Sequence, residues 1–218
     1  MLFTLVQMKP CKITCISDLH GSYPDLPGGD LLIVGGDLTV RNYAYEYGIF
    51  NDWLESQNYT KKIVIAGNHD GLIEKRLYTF PHYDHALDIE YLEDTGTEFM
   101  GLKIWGTPWT PKFMDWYFMK EPEEMKEVCA KIPKDTDILV THGPPYGILD
   151  RNKEEDPCGC KYLREWIDTH KPKLHVFGHI HEGYGIYDEG WTLCINASHM
   201  NWCYNPSNEP ISIQLTGD

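Results

Sequence analysis

Five short apolar runs, each followed at once by a loop rich in glycine, histidine and aspartate, constrain the fold of this chain more than any other feature. Continuous Val, Ile and Leu over four to six residues is typical of a strand that is buried on both faces. We therefore predict five buried strands with polar loops at their ends. The runs lie at 12–16, 31–34, 62–66, 137–140 and 174–177.

Stretches with the spacing of amphipathic helices separate several of these runs. Apolar residues at i, i+3, i+4 and i+7 place one face of a helix against a core. Before the second such stretch, the Pro-Glu-Glu sequence at 122–124 is a suitable first helical turn. The patterned positions are Tyr43, Tyr47, Phe50 and Leu54; Met125, Val128, Cys129 and Ile132; and Leu163, Trp166, Ile167 and His170.

The remaining segments favour antiparallel strands. Residues 98–106 alternate around a glycine, as in a hairpin, and 184–215 contains further short strand-like runs. Strands that alternate with helices, together with antiparallel additions, predict a layered α/β fold in which two sheets pack between helices. The order of the strands does not follow from the pattern. No linker or repeat divides the chain, so 1–218 is predicted to be a single domain.

The formal net charge of −14 limits the kinds of partner this chain can bind. A general nucleic-acid binder needs a basic face for phosphate contacts, so stable nucleic-acid binding is not expected. Bound divalent cations would reverse the sign locally and leave room for a small anionic substrate. No run of about 18 apolar residues occurs, so no membrane span is predicted.

Seven cysteines are present without paired Cys-x-x-Cys spacing. Cys158 and Cys160 form a close pair, but an isolated Cys-x-Cys is a weak zinc signal, and ordinary reduced thiols are the simpler interpretation. A chain of 218 residues needs no disulfide framework, which favours a reducing, cytoplasmic setting. Residues 1–7 lack the basic region and the apolar length of a secretory signal.

Polar residues cluster directly after each of the five runs. In an open α/β sheet, ligands bind where strand ends meet at one edge, so we expect these clusters to converge. They are 17–21 (Ser-Asp-Leu-His-Gly), 35–37 (Gly-Gly-Asp), 67–70 (Gly-Asn-His-Asp), 141–145 (Thr-His-Gly-Pro-Pro) and 178–181 (Gly-His-Ile-His).

Each cluster alone has a simpler explanation. The Asp-x-His and Gly-Asp pairs are common in turns, and 68–70 is able to cap a helix that begins near Gly71. The His-x-His pair is more specific, because alternate residues of an extended segment point to the same side. All five clusters together, at strand ends, indicate a metal site. The histidines outside them, interpreted as surface or internally satisfied groups, are His82, His85, His170, His175 and His199.

The residue types in these clusters suit phosphoester hydrolysis. Two metal ions about 3.5–4 Å apart activate water and neutralise charge on the phosphoryl oxygens, with a hydroxide bridging the two ions. A carboxylate is able to bridge such a pair because both of its oxygens bind cations. Mixed imidazole and oxygen ligands favour Mn, Fe or Zn over Ca or Mg. A histidine outside the metal shell is able to protonate the departing oxygen.

In this order the motifs resemble those of the calcineurin-like metallophosphoesterase superfamily, over residues 18–181. The resemblance implies a four-layer sandwich of two mixed β-sheets flanked by helices, with a dinuclear site at the strand ends. It also implies that His69 lies near the leaving group as a catalytic residue without binding metal. The implied metal ligands are Asp18, His20 and His181 for one ion, Asn68, His142 and His179 for the other, and Asp37 as the bridge.

One branch of that superfamily is especially similar, namely the small metallophosphoesterase-domain proteins related to cyclic-nucleotide phosphodiesterases. Some animal members of the branch have glycine where His179 stands, which weakens their second metal site. Since this chain has histidine there, both sites are expected to be intact. The segments that carry the similarity are 50–54, 62–69, 106–111, 137–145, 171–178, 181–185 and 195–198.

Three functions are compatible with these residues. The first is a phosphodiesterase for small cyclic nucleotides that uses two divalent transition-metal ions, Mn first and Fe or Zn as alternatives. The second is a phosphomonoesterase or phosphoprotein phosphatase with the same site. The third is a non-catalytic partner-binding scaffold, which the retention of His69 and all seven implied ligands disfavours. Trp109 and Tyr146 are candidates to stack on a base, with simple packing as the alternative.

Overall fold

All five apolar runs form strands, so this prediction is confirmed. The computed structural model describes residues 9–80 and 88–216. Within them the strands are β1 Cys11–Ile16, β2 Gly29–Val34, β3 Tyr59–Val64, β4 Ile89–Tyr91, β5 Thr95–Phe99, β6 Leu102–Thr107, β7 Thr110–Pro111, β8 Met119–Lys120, β9 Ile138–Thr141, β10 Leu174–Phe177, β11 Gly185–Asp188, β12 Leu193–Asn196 and β13 Ile211–Leu215. The helices are α1 Ala44–Ser56, α2 Gly71–Glu74, α3 Met125–Ala130 and α4 Lys161–His170, with a 3-10 turn at His181–Gly183.

The strands form two large mixed sheets. The first has the order β13-β1-β2-β3-β4, and its strands are parallel except for β13 at one edge. The second has the order β11-β12-β10-β9-β6-β5, with a parallel centre and an antiparallel strand at each edge. β5 and β6 form the hairpin predicted for 98–106. Parallel strands of one sheet end at the same edge, so the polar loops are brought together.

The side chains of each buried strand alternate between two apolar environments. In β1, Ile13 and Cys15 lie in the core between the sheets, whereas Ile16 lies in a second core on the outer face of its sheet. In β9, Val140 faces the core between the sheets and Leu139 faces outward into a third. Because both faces are covered, the sequence of these strands has no solvent-facing polar period.

Helices cover the outer face of each sheet. Phe50 of α1 and Ile73 of α2 pack in the core outside the first sheet. Met125 of α3 and Ile167 of α4 pack with Leu139 outside the second. The layers are therefore helix, sheet, sheet and helix, as the four-layer α/β expectation requires.

The helices are short, and one begins later than predicted. α1, the longest that the structure describes, has 13 residues, and no helix within the described ranges combines the length and apolar character needed to cross a membrane. α3 begins at Met125, and residues 122–124, predicted as its first turn, form a hydrogen-bonded turn directly before it, in which the Glu124 and Met125 N–H groups donate to the Glu121 carbonyl at 2.9 and 3.3 Å. The short strands β4, β7 and β8 were not predicted, since two or three residues carry no periodicity.

A glycine substitution between the sheets tests this packing. A Cβ at Gly106 would lie 2.5 Å from the Leu92 Cβ and 2.9 Å from an Ile65 methyl carbon, so Gly106→Ala should lower the free energy of unfolding by about 1–3 kcal/mol. Urea denaturation in a metal chelator measures the change. The control is Gly48→Ala on the exposed face of α1, where the new Cβ meets nothing within 4 Å and stability should rise by up to about 1 kcal/mol. Equal effects of the two changes would contradict the packing described for β6.

Candidate metal centre

The loops that follow β1, β2, β3, β9 and β10 meet at the edge where the two sheets join. The Ser17 N–H donates to the Ala197 carbonyl at 2.8 Å, which ties the end of β1 to the end of β12 in the other sheet. The Asp18 N–H donates to the Gly36 carbonyl at 3.0 Å and joins the loops after β1 and β2. The expected convergence of the polar clusters is therefore confirmed.

Three overlapping groups of potential ligand atoms occupy this edge. Within each group, the ligand atoms all lie within 4.8 Å of one another. Asp18 and Asp37 each belong to two groups, so the three form one continuous site. The groups are Asp18, His20 and His181; His20, Asp37 and His69; and Asp18, Asp37 and His142.

The other two predicted ligands lie beside His142. The Asn68 side-chain oxygen is 2.9 Å from His142 Nε2. The ring of His179 is 5.0 Å from the ring of His142, measured between centroids. The His179 ring is thus a neighbour of the site, although it belongs to none of the three groups. All seven predicted ligands and His69 therefore lie at this edge of the sheets.

Two of the histidines are oriented as metal ligands usually are. His142 Nδ1 lies 2.9 Å from the Gly35 carbonyl, and because a carbonyl only accepts, Nδ1 carries the proton. His181 donates in the same way to the Asn201 carbonyl at 3.2 Å. The Nε2 of each ring then faces a carboxylate, that of His142 toward Asp37 at 3.4 Å and that of His181 toward Asp18 at 3.4 Å. Fixing the tautomer by a hydrogen bond to the other ring nitrogen is typical of histidines that bind metal.

His20 provides a further test of whether these residues fit a cation. Its side chain is buried, yet neither ring nitrogen has a hydrogen-bond partner. Burial lowers the pKa of His20 to about 4, so the ring is neutral and keeps a free lone pair. A buried polar atom without a partner is unfavourable, and a cation between His20 and the aspartates would relieve it. Neutral imidazole with carboxylate suits divalent transition metals.

The two aspartates are buried and remain ionised. Burial alone would raise the pKa of Asp18, but the hydrogen bond and charge of His181 bring it well below its usual range. Burial opposes ionisation of Asp37 as well, and the charge of His142 outweighs it and lowers that pKa. The reciprocal effect raises the pKa of His142 to about 9 despite its burial. The charge at this site is therefore balanced by imidazoles, a role that a divalent cation is also suited to fill.

Four predicted ligands have a backbone conformation that is uncommon for residues with a side chain. Left-handed φ angles at non-glycine residues cost free energy and cluster at functional sites, where the surrounding structure enforces them. Backbone hydrogen bonds do so here, and the His179 N–H, for example, donates to the Asp18 carboxylate at 3.0 Å. The four are Asp18 (φ 52°), His20 (41°), Asp37 (52°) and His179 (69°).

Two glycines of the motifs are required by close approach. A Cβ at Gly67 would lie 2.3 Å from Asp37 Oδ1, and a Cβ at Gly178 would lie 2.0 Å from Asp18 Oδ2. Neither distance is tolerable for a side chain. Each glycine therefore allows one strand end to pack directly against the carboxylate of another.

Asp70 braces the site without belonging to any of the three groups. Its fully buried carboxylate accepts the N–H groups of Leu38 at 3.1 Å and Gly67 at 2.8 Å. It also accepts the Thr39 hydroxyl at 3.3 Å. Sequence reasoning interpreted 68–70 as a possible helix cap, but the side chain of Asp70 joins the loop of Asp37 to its own loop.

His69 is only half-buried, in contrast to the buried rings of His20 and His142. Its backbone N–H donates to Asp37 Oδ1 at 2.8 Å, and its Nδ1 donates to the Val40 carbonyl at 3.1 Å. The Val40 segment is held in turn by Glu46 of α1, whose carboxylate accepts the Val40 N–H at 3.1 Å. The ring is thus fixed at the rim of the site with one nitrogen uncommitted.

Sequence reasoning missed the aromatic rings that border this centre. The ring of Trp116 is 4.5 Å from that of His69, and the ring of Tyr204 is 5.1 Å from that of His20. Trp109, one of the predicted stacking residues, instead packs against Phe118 in the outer cores, 5.2 Å between centroids. Trp116 and Tyr204 lie in irregular segments whose sequence has no periodicity. Nothing in the sequence therefore indicates that they lie near the histidines, and only the structure shows it.

Most of the predictions for histidines and cysteines outside the metal centre are confirmed. His170 and His199 donate from Nδ1 to backbone carbonyls at 2.9 and 2.8 Å and are internally satisfied. Tyr146, the other predicted stacking residue, is partly exposed and has the Lys161 ammonium 5.4 Å from its ring centre. All seven cysteines are free thiols, as expected. His82 and His85 lie outside the described residues.

His175 is not a surface group. It is fully buried, and its Nε2 lies 2.8 Å from the Thr141 hydroxyl. That hydroxyl donates to the Gly143 carbonyl at 2.7 Å, so it accepts from His175. His175 therefore supports the loop that carries His142.

Comparisons with known proteins agree with this geometry. A family model described as calcineurin-like phosphoesterase matches residues 11–183. Metallophosphoesterase domain-containing protein 1 of Homo sapiens and its counterpart in Mus musculus are each 38% identical to this chain over 230 residues, covering 94% of this chain and 71% of the relative. The crystal structure of phosphopantetheinyl hydrolase from Mycobacterium tuberculosis aligns with a TM-score of 0.57 and 17% identity, covering 95% of this chain and 97% of the other. This last likeness concerns the fold alone.

Substitution of Asp70 tests whether it braces the site. Asp70→Asn keeps the shape but turns an amide NH₂ toward backbone N–H groups, so the free energy of unfolding should fall by about 1–3 kcal/mol. Metal affinity should fall about 10- to 100-fold although Asp70 belongs to none of the ligand groups. Urea denaturation and metal titration measure the two effects. Asp168→Asn, on the exposed side of α4, should leave metal affinity unchanged. Parental metal binding by Asp70→Asn would contradict the bracing role.

Proposed function

The chain belongs to the calcineurin-like phosphoesterase family, and we propose that it hydrolyses small phosphodiesters, cyclic nucleotides among them, at the centre around Asp18 and Asp37. Membership of the family makes it a metal-dependent phosphoesterase. The choice of phosphodiesters, the identity of the metals and the role of each residue are parts of the proposal.

One observation carries the proposal, namely the position of Asp37 between two histidines. Its Oδ2 lies 3.5 Å from His20 Nε2, and its Oδ1 lies 3.4 Å from His142 Nε2. Each oxygen of one carboxylate thus faces an imidazole of a different predicted metal site. This is the arrangement that a carboxylate shared by two cations requires.

The seven predicted ligands form two sets of three that share Asp37. When bound, two divalent ions act as Lewis acids that activate water and neutralise charge on the phosphoryl group. Mn is the proposed metal, with Fe or Zn as alternatives suited to the same donor atoms. Asp18, His20 and His181 would hold one ion, Asn68, His142 and His179 the other, and Asp37 both.

His69 is the proposed acid. In hydrolysis, the oxygen of water bonds to phosphorus, the bond from phosphorus to the leaving oxygen breaks, and His69 gives that oxygen a proton. The proton that the water loses restores the imidazolium. The hydrogen bond from Nδ1 to the Val40 carbonyl keeps the ring oriented. Because His69 also lies within ligand distance of His20 and Asp37, a ligand role is the competing interpretation.

The choice of a diester over a monoester rests on the resemblance of this chain to the branch related to cyclic-nucleotide phosphodiesterases. Charge gives no such preference, because two bound divalent cations would outweigh the charges of Asp18 and Asp37 and would attract a dianion as well as a monoanion.

A substrate screen tests the proposed activity. Protein reconstituted separately with Mn, Fe and Zn is assayed against cyclic nucleotides, aryl phosphodiesters and phosphomonoesters. The expected result is a higher kcat/KM for the diesters and about two bound ions per chain by elemental analysis. A preference for phosphomonoesters would favour a phosphatase. Full metal occupancy without turnover of any ester would favour a scaffold.

Removal of the bridging charge tests the role of Asp37. Asp37→Asn keeps the size of the side chain but removes the charge that two cations would share, so activity should fall by several orders of magnitude and metal content toward one ion. Asp156→Asn changes an exposed carboxylate and serves as the matched control, with activity close to the parent. Similar losses in both variants would argue against a bridge.

Substitution of His69 separates acid catalysis from metal binding. If His69 is the acid, His69→Ala should keep its metals and lose about 10²- to 10⁴-fold in rate on a cyclic nucleotide. The loss should be much smaller on a p-nitrophenyl phosphodiester, because p-nitrophenolate departs without a proton. Rates and metal content are measured on the same preparation. Equal losses together with depleted metal would instead make His69 a ligand or a support of Asn68.

A further inference from the structure

Trp116 lies beside the proposed acid with much of its ring free. Its ring is 4.5 Å from that of His69 with an angle of 38° between the planes, and 43% of the residue is exposed. The packing cores of this protein do not include it. A large aromatic ring at the rim of a charged site, with one side open, is suited to stack on a planar group.

The segment that carries Trp116 is fixed to the loop of the proposed acid. The Tyr117 N–H donates to the Asn68 carbonyl at 3.3 Å. The Tyr117 ring packs so closely on Gly71 that a Cβ there would lie 2.3 Å from it. Trp116 is therefore held next to His69 by two contacts of Tyr117, the residue that follows it.

The reaction geometry decides which part of the substrate meets Trp116. The leaving oxygen must lie within hydrogen-bonding distance of His69 to receive a proton. The group attached to that oxygen then lies on the His69 side of the centre, beside Trp116. Tyr204 contacts the rings of His20 and His181 edge-to-face, at 5.1 and 4.9 Å, rather than that of His69.

A cavity of about 400 Å³ is lined by Trp116 and by none of the predicted metal ligands. Its lining includes Met114 and Met119 as well as acidic side chains, and Lys112 is its one basic residue within the described part of the chain. Glu121 already binds the Lys112 ammonium at 2.6 Å. The remaining carboxylates, those of Glu74, Asp115 and Glu124, give the cavity a negative charge. A further phosphate on the leaving group would be repelled there, whereas a neutral ring that donates hydrogen bonds would not.

We propose that Trp116 and this cavity form the subsite for the leaving group of the substrate. The substrate class is then a phosphodiester whose leaving group is a nucleoside or aryl group without an additional phosphate. This rests on the proposed function, since it takes His69 to be the acid. Trp116 is a specificity-determining residue that stacks on the planar part of the leaving group.

The test compares two substrates that differ only in the planar group. Adenosine 2′,3′-cyclic phosphate and the methyl riboside 2′,3′-cyclic phosphate share the same reacting bonds, but the second lacks the base. Trp116→Ala should raise KM about five- to a hundredfold for the adenosine substrate and leave that for the base-free substrate within about twofold. Trp116→Phe should keep most of the affinity, because a stacking ring remains.

Trp191→Ala is the matched control. Trp191 has a similar exposure, 49%, but precedes β12 at the opposite end of its sheet, where its ring lies 5.0 Å from the Lys171 ammonium. The Trp191→Ala variant should hydrolyse both substrates as the parent does. Equal losses on both substrates in Trp116→Ala would overturn the subsite, because Trp116 would then only position His69. Unchanged KM for both substrates in that variant would overturn it as well.

A binding measurement separates failure of the subsite from failure of the proposed function. If the parent hydrolyses none of the phosphodiesters of the substrate screen, the proposed function fails. Calorimetric titration of the metal-loaded protein with adenosine 3′-monophosphate and with the base-free ribose phosphate then tests the subsite alone. Trp116→Ala should weaken binding of the first by about fivefold or more and that of the second by less than about twofold. Equal binding of the two ligands by the parent would overturn the subsite.

A substrate with an additional phosphate tests the charge of the cavity. Adding a 5′-phosphate to the adenosine substrate should raise KM severalfold, and the effect should shrink as salt screens the carboxylates. A lower KM for the phosphorylated substrate would overturn the choice of an uncharged leaving group.

Discussion

Two carboxylates buried side by side are the constraint on which the rest of this structure depends. Asp18 is fully buried and Asp37 nearly so, and buried like charges are strongly unfavourable unless they are paired and hydrogen-bonded. The structure supplies partial compensation. The His179 N–H and the Ser198 hydroxyl donate to Asp18, and the His69 N–H donates to Asp37. Imidazoles face the remaining oxygens. Such a site is suited to bind the divalent cations that the family membership implies.

The need to hold those carboxylates explains why the surrounding backbone departs from regular structure. The left-handed conformations of Asp18 and Asp37 turn the backbone sharply after β1 and after β2, so that the two side chains point back into the site. Gly67 and Gly178 let the neighbouring strand ends come into contact with these carboxylates. Strain of this kind persists only where the flanking structure is rigid, and the buried parallel strands of the two sheets provide that rigidity.

The sequence allowed the sheets and the convergence of the candidate ligands to be predicted because both follow from one local pattern. An apolar run specifies a buried strand, and the polar residue after it must lie at the strand end, which placed Asp18, Asp37 and His142 correctly. What could not be predicted depends on irregular segments. Trp116 lies in such a segment between β7 and β8, and nothing in its local sequence distinguishes it from the packed Trp109. The support from His175 was missed because a buried histidine looks the same in sequence as an exposed one.

His69 connects the strand-end part of the site, which the sequence predicted, with the irregular segment of Trp116, which it did not. Its backbone belongs to the rigid centre through the hydrogen bond to Asp37, whereas its ring meets the irregular segment of Trp116. It is also half-buried, whereas His20 and His142 are buried. A metal ligand gains from exclusion of water, because a low dielectric strengthens its interaction with the cation. An acid must regain a proton in every turnover, so its ring needs contact with solvent or with a proton-carrying substrate. The exposure of His69 fits that second requirement, which the acid role proposed for it demands.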